Sequence, residues 1–139
     1  MARSTYETFE HGADIGVRGW GKTMPEAFAN GARAMFSIIA EDLDAVQPLE
    51  PVPVTASSYD MEGLFVSWLN ALLAAADLKR MLFCTFKVNI SGLQVRGTAW
   101  GQRLGKGRDR GVEVKGATFT ELRVQREGGG WTAQCVVDV

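Results

Sequence analysis

The stretch that decides the fold is FEHGADIGVR at residues 9–18, which contains His11, the only histidine of the chain. From Ala13 onward apolar and polar residues alternate, which is the pattern of a β-strand with one buried face. Asp14 falls on the opposite face from Ala13, close to two glycines that leave the surrounding backbone uncrowded. We therefore expect an aspartate at the start of this strand that a ligand can approach closely.

Length and composition indicate a single globular domain over residues 1–139. Hydrophobic residues make up 46% of the chain and charged residues 22%, which suits a protein with an ordinary buried core. The net charge of -1 argues against a protein that coats nucleic acid by bulk charge. Residues 2–10 are polar, which predicts no signal peptide, and we find no apolar run of the ~18 residues a membrane helix needs. We expect a cytoplasmic protein without a membrane partner.

Two amphipathic helices are predicted from spacing and capping signals. A capping box from Thr23 to Glu26 starts the first helix, and an apolar stripe at helical spacing runs to Ile39. The second helix follows candidate caps at residues 57–60 and ends near Asp77. Core packing is the expected role of both apolar faces.

The remaining segments predict strands. A turn at residues 11–12 joins the first two strands, and prolines mark the third as an edge strand. The mixture predicts an α+β domain in which two helices pack on a mixed or antiparallel sheet. The predicted strands cover residues 5–10, 13–20, 49–56, 82–91, 93–100, 112–126 and 131–139.

Two aspartates are candidates for a metal site. Asp14 and Asp138 both lie off the buried face of their strands, and Val139 follows the second. Oxygen ligands of this kind suit hard cations such as Ca²⁺ or Mg²⁺. Spacing by itself favours the simpler interpretation of two solvated surface aspartates, with Asp14 paired to Arg18.

Two basic features are candidates for binding an anion or an acidic partner. Lys115 lies beside Glu113 and could hold a phosphate, although a solvated lysine is the favoured interpretation on spacing alone. The loop 101–111 has four glycines and could dock on RNA or on an acidic protein surface; a solvated hairpin loop is equally consistent with it. The basic residues of this loop are Arg103, Lys106, Arg108 and Arg110.

The histidine and the two cysteines carry no recognisable catalytic motif. His11 has no partner visible in the sequence, so a structural hydrogen-bonding role is the default. Cys84 and Cys135 lie far apart, without metal-ligand spacing, and are expected to be free buried thiols.

Taken in order along the chain, these residues resemble the archease family. FEHGADIG at residues 9–16 resembles the family's opening EHTADIG, and EVKGAT at residues 113–118 resembles its V-K-A-x-T motif. VVDV at residues 136–139 resembles the closing D-I or D-V of the family. Residues 21–36 and 64–73 resemble its two helices, so the match covers nearly the whole chain.

The resemblance implies an archease-like fold and the function of a protein cofactor rather than an enzyme. Archeases promote guanylylation and multiple turnover of the GTP-dependent RNA ligase RtcB in tRNA splicing and RNA repair. By this likeness GTP and Mn²⁺ belong to the ligase, and RNA is contacted only through it. Asp14, Lys115 and Asp138 would be needed for activation, and Asp14, Asp138 and Val139 would hold a divalent metal, in the manner of Ca²⁺.

This chain departs from the family pattern at three positions near the implied site. Gly12 stands where the family usually has Thr, Gly116 replaces the usual Ala, and Thr120 stands where His is common. Two other functions stay open. One is a chaperone-like or RNA-binding module that works through loop 101–111; the other is a stand-alone metal-dependent phosphoesterase with His11 as its base.

Overall fold

The computed structural model describes residues 5–105 and 110–139, which form two antiparallel β-sheets and two α-helices. A short 3₁₀ helix, Leu43–Ala45, follows the first α-helix. In chain order the elements are β1 (Tyr6–His11), β2 (Asp14–Gly21), α1 (Met24–Ile39), β3 (Glu50–Ser57), α2 (Met61–Lys79), β4 (Met81–Ser91), β5 (Gln94–Arg103), β6 (Gly116–Ala117), β7 (Arg123–Glu127) and β8 (Gly130–Asp138).

The strands divide into a five-stranded and a three-stranded sheet. In the larger sheet the order is β1-β2-β8-β6, with β7 also pairing with β8, and in the smaller it is β3-β5-β4. Every strand pairing in the described part of the chain is antiparallel. The predicted α+β fold with two packed helices is therefore confirmed, although the strands form two sheets rather than one.

Helix α1 packs against β2 and β8 of the larger sheet and β4 of the smaller one. Its start is fixed locally, because Thr23 Oγ1 accepts the N–H of Glu26 at 3.3 Å. Its approach to β2 is close: a Cβ on Gly19 would lie 2.1 Å from the backbone nitrogen of Gly31. Only glycine at position 19 allows the helix and strand backbones to come this near.

Helix α2 is also a core helix, as its spacing predicted. The carboxylate of Asp60 caps it by accepting the N–H of Gly63 at 2.6 Å, and Arg80 ends it in the left-handed conformation with φ of 55°. The helix therefore runs to Lys79, slightly beyond the end predicted near Asp77.

By length and mean composition α2 is apolar enough to cross a membrane, although polar residues such as Asn70 and Asp77 interrupt its apolar run. Core packing accounts for this apolarity. Leu64, Trp68 and Leu72 are fully buried, and the indole N–H of Trp68 donates to the Phe28 carbonyl at 3.2 Å. Of the membrane-length window, 44% is buried inside the fold.

The first hairpin turns one residue later than predicted. Its loop is Gly12 and Ala13 rather than residues 11–12, and the register pairs His11 directly with Asp14. Gly12 has a φ of 60°, a left-handed conformation that glycine adopts without strain and that a β-branched residue resists. The turn therefore has a backbone reason for glycine at this position.

The predicted strand over residues 112–126 is interrupted. Only β6 and β7 are regular, and Glu121 between them has a φ of 54°. The intervening chain still follows β8, since the N–H of Thr118 donates to the Val136 carbonyl at 3.0 Å and the N–H of Val136 donates to Thr120 at 3.0 Å. The segment is one edge strand broken by an irregular turn.

The loop predicted at residues 101–111 begins later than predicted, after β5. Residues 101–103 belong to β5, and Arg103 pairs with Glu50 at 3.3 Å. Arg110 forms an isolated bridge with Ala40. The prediction for Lys106 and Arg108 falls outside the described residues.

Candidate functional site

The candidate site lies at the end of the larger sheet where β2, β8 and β6 meet. The β2–β8 register ends with the pair Ile15–Val137, and Asp14 and Asp138 are the next residues of the two strands. The N–H of Val139 donates to Asp14 Oδ1 at 3.2 Å, which joins the two strand ends. Residues from opposite ends of the chain thus lie beside each other.

Lys115 approaches the same strand end from the other side of β8. Gly116 pairs with Asp138 in the β6–β8 register, and the N–H of Lys115 donates to the Asp138 carbonyl at 2.8 Å. In the described chain the Lys115 ammonium makes no ion pair with either aspartate. Lys115 instead lines a groove of about 800 Å³ beside α2, together with Asp77. Its backbone is bonded to the site, and the residue is exposed.

The two aspartates share the face of the sheet opposite the core. Val17 and Cys135, which also pair across these strands, are fully buried in the core, so residues one position away face outward. Further along this outer face, the Arg18 guanidinium pairs with Glu7 and donates to Gln134 Oε1 at 2.8 Å. The suggested pairing of Asp14 with Arg18 is therefore wrong.

The outer face is more enclosed than the sequence pattern suggested. Gln134 and Val136 of β8 are only 1% and 2% exposed, and the Phe9 ring lies over Gly16. At the strand end Asp14 is half-buried and Asp138 is exposed. The carboxylates therefore occupy the open end of an otherwise covered face.

His11 also belongs to this end of the sheet. It lies opposite Asp14 across the β1–β2 hairpin, and directly opposite residues project from the same face of a sheet. Sequence reasoning found no partner for it because the turn was placed one residue too early. A glycine at the first position of a two-residue hairpin loop was the signal that could have revealed the pairing.

The two aspartates at the strand end supply oxygen donors, the type that hard cations prefer. Among the residues that the structure describes, no group of three or more His, Cys, Asp or Glu side chains could hold a metal ion. Asp14 and Asp138 supply two carboxylates, so main-chain oxygens and water would have to complete a coordination shell. Two carboxylates with main-chain oxygens and water fit a hydrated hard cation.

The Cys135 thiol is unsuited to act as a nucleophile or metal ligand. Burial raises the pKa of Cys135 from an ordinary value near 9 to about 12, against a smaller lowering by a hydrogen bond from the Thr118 backbone. The thiol therefore stays protonated at neutral pH. Cys84 and Cys135 are both free and buried, as predicted.

Besides Gly12, whose positive φ favours glycine, the other two departures from the archease pattern have a visible structural setting. A Cβ on Gly116 would meet Asn70 Oδ1 at 3.6 Å, an ordinary contact, so the usual alanine would fit here. Thr120 is exposed, and its carbonyl accepts the Val136 N–H that continues the edge strand. Among the hydrogen bonds of the described residues, Thr120 uses its backbone N–H and carbonyl and does not contact the aspartates.

Comparison with known proteins gives consistent results over nearly the whole chain. A sequence model of the archease protein family (MTH1598/TM1083) matches residues 6–139. The chain is 37% identical over 137 residues to the protein archease of Sulfurisphaera tokodaii, covering 96% of this chain and 98% of that protein. It is 36% identical over 139 residues to the protein archease of Methanopyrus kandleri, covering 96% and 99%.

Solved structures share the fold. The solution structure of Methanobacterium thermoautotrophicum protein 1598 matches with a TM-score of 0.85 at 34% identity, covering 97% of this chain and 99% of that one. A crystal structure of a Thermotoga maritima protein, called an archease and possible chaperone, matches with a TM-score of 0.63. At 18% identity, over 100% of this chain and 98% of the other, that likeness shows the fold alone.

Proposed function

This chain belongs to the archease family, and from that premise we propose that it is a protein activator of an RtcB-type RNA ligase. In this proposal it promotes guanylylation and multiple turnover of the ligase during tRNA splicing and RNA repair. GTP, Mn²⁺ and the RNA ends are bound by the ligase, and the chain turns over no substrate of its own.

The observation that carries the proposal is the meeting of three distant residues at one sheet end. Val139 donates its N–H to Asp14, and the N–H of Lys115 donates to the Asp138 carbonyl. Asp14 and Asp138 directly follow the last β2–β8 pair, so continuing the register places them opposite each other. Like charges directly opposite each other in a sheet are destabilising, so two facing carboxylates have a cost for folding. A function that needs negative charge at this point explains their presence.

We propose that Asp14, Asp138 and a main-chain oxygen of Val139 hold a divalent cation such as Ca²⁺. A bound cation would neutralise the facing carboxylates and join the start of β2 to the end of β8. Asp14 Oδ1 already accepts the N–H of Val139, which orients the carboxylate. The charged sheet end, with Lys115 at its margin, would then dock near the guanylylation site of the ligase.

The test is multiple-turnover RNA ligation by a cognate RtcB-type ligase with GTP, with and without this protein. Asp138→Asn and Lys115→Ala should each lose most of the stimulation while remaining folded. Their matched controls are Asp44→Asn and Lys87→Ala, which make the same changes at exposed positions in Leu43–Ala45 and β4. Stimulation by both site variants at the wild-type level would refute the proposal.

A partner-free phosphoesterase remains the rival that one structural observation favours, because His11 lies opposite Asp14. It predicts metal-dependent hydrolysis of a phosphoester without any ligase, lost in His11→Ala. The RNA-binding rival predicts salt-sensitive RNA binding that falls when the basic residues of loop 101–111 are neutralised. Either result without ligase stimulation would replace the proposal.

A further inference from the structure

We infer that Asn70 of α2 is a positioning residue that holds the Lys115 segment against the rest of the site. The effect expected on ligase stimulation rests on the proposed function. The contact itself is independent of that function and can be measured separately.

Asn70 makes two hydrogen bonds to a single residue of β6. Its Oδ1 accepts the N–H of Ala117 at 2.9 Å, and its Nδ2 donates to the carbonyl of Ala117 at 3.3 Å. These two bonds are possible in only one orientation of the side-chain amide, so the orientation of the amide is fixed by the backbone it contacts. The side chain satisfies both polar groups of Ala117 in the way that a neighbouring strand would.

Strand β6 needs such a partner because its own pairing is minimal. It has two residues, Gly116 and Ala117, and it pairs only with β8 at the edge of the sheet. The polar groups of Ala117 that face away from β8 would otherwise depend on water. A single α2 side chain thus replaces the missing strand at this edge.

The contact lies two residues from Lys115. On one side the N–H of Lys115 donates to the Asp138 carbonyl at 2.8 Å, and on the other side Asn70 holds Ala117. Helix α2 is anchored by fully buried side chains such as Trp68 and Leu69, immediately before Asn70. Asn70 therefore connects the segment that carries Lys115 to a rigid element of the core.

The contact itself is tested by hydrogen exchange of the Ala117 amide, followed by NMR. In Asn70→Leu both hydrogen bonds are lost, and we expect this amide to exchange about tenfold faster. In Asn70→Asp the acceptor is kept but the donor is lost, so exchange should be intermediate. Asn89→Leu makes the same change at an exposed position of β4 and should leave the Ala117 amide unchanged. Equal exchange in wild type and Asn70→Leu would overturn the inference.

The positioning role is tested by titrating each variant into the multiple-turnover ligation assay. Partial unfolding raises the concentration that gives half-maximal stimulation but leaves the plateau unchanged, because more protein restores the folded amount. Misplacement of Lys115 lowers the plateau itself. We expect a plateau lowered at least about threefold in Asn70→Leu, partly restored in Asn70→Asp and unchanged in Asn89→Leu.

Faster exchange at Ala117 with an unchanged plateau would overturn the positioning role. If the wild-type protein does not stimulate a competent ligase, the proposed function fails. The exchange measurement then decides alone whether Asn70 holds the segment, so the two failures are distinguishable.

Discussion

We expect Asp14→Asn to be more stable than wild type without a divalent cation and less stable than wild type when the cation is added. Asp14 and Asp138 follow the last β2–β8 pair, Ile15–Val137, and one more step of the same register would place their Cβ atoms about 5 Å apart. Two carboxylates at that distance in water-like surroundings repel each other by about 1 kcal/mol. Asparagine removes this repulsion and keeps an Oδ1 that can accept the Val139 N–H, so the fold loses no hydrogen bond.

In the presence of a chelator, Asp14→Asn should therefore be more stable than wild type by up to about 1 kcal/mol. For a chain of this size, that difference raises the melting temperature by about 3–4 °C. Calcium at a hundred times its dissociation constant should stabilise the wild type by about 2.7 kcal/mol. The variant has lost one of two side-chain carboxylates and should gain less than half as much, so the order of the melting temperatures reverses.

The assay is thermal unfolding of both proteins in EDTA and in a calcium series, with Asp44→Asn as the control. Asp44 is an exposed aspartate of the 3₁₀ helix, and its variant should follow the wild type in both conditions. If Asp14→Asn is less stable than wild type in EDTA, the Asp14 and Asp138 carboxylates do not repel each other in the folded protein. An equal calcium shift in wild type and Asp14→Asn would refute Asp14 as a ligand.

Three further outcomes follow from the packing and from one titrating group. Gly19→Ala should lower the free energy of unfolding in urea by about 2 kcal/mol or more, because its Cβ would meet the backbone of Gly31 at 2.1 Å. A change under about 0.5 kcal/mol would contradict the close approach of β2 and α1. Gly116→Ala should be neutral or stabilising by about 0.5 kcal/mol in the same measurement, since its Cβ meets only Asn70 Oδ1 at 3.6 Å. Burial raises the pKa of Cys135 to about 12 in the folded protein, against about 9 in the unfolded chain. The free energy of unfolding is therefore unaffected by this thiol below pH 9 and falls as the pH rises from 9 towards 12. Between pH 9 and 12, the unfolding free energy of wild type should fall more steeply than that of Cys135→Ala, by up to about 1.4 kcal/mol per pH unit. Equal pH dependence in the two proteins would show that the Cys135 thiol does not contribute.

The local elements were predictable from the sequence because their signals act over a few residues. Thr23 and Glu26 lie one helical turn apart, so the start of α1 follows from neighbouring residues alone. The edge position of β3 likewise follows from Pro51 and Pro53, which lack the N–H that an inner strand must donate. These predictions hold because no distant contact competes with them.

The errors occurred where distant contacts or backbone conformation decide. The hairpin turn was placed one residue early because alternation alone does not show that Gly12 takes a positive φ. The interruption between β6 and β7 is invisible in the sequence, because it depends on how residues 118–122 follow β8. The contact of Asn70 with Ala117 could not be predicted because the two residues are 47 positions apart.

The sequence by itself determined the elements, the family resemblance and the identity of the candidate side chains. Only the tertiary structure decided which of them meet. Val139 and Asp14 are 125 residues apart, and the antiparallel pairing of β2 with β8 alone brings them within hydrogen-bonding distance. Spacing along one strand fixes the face on which a side chain lies, but the neighbour across the sheet depends on register. That register is set by burial of the core face on α1, which no local pattern specifies.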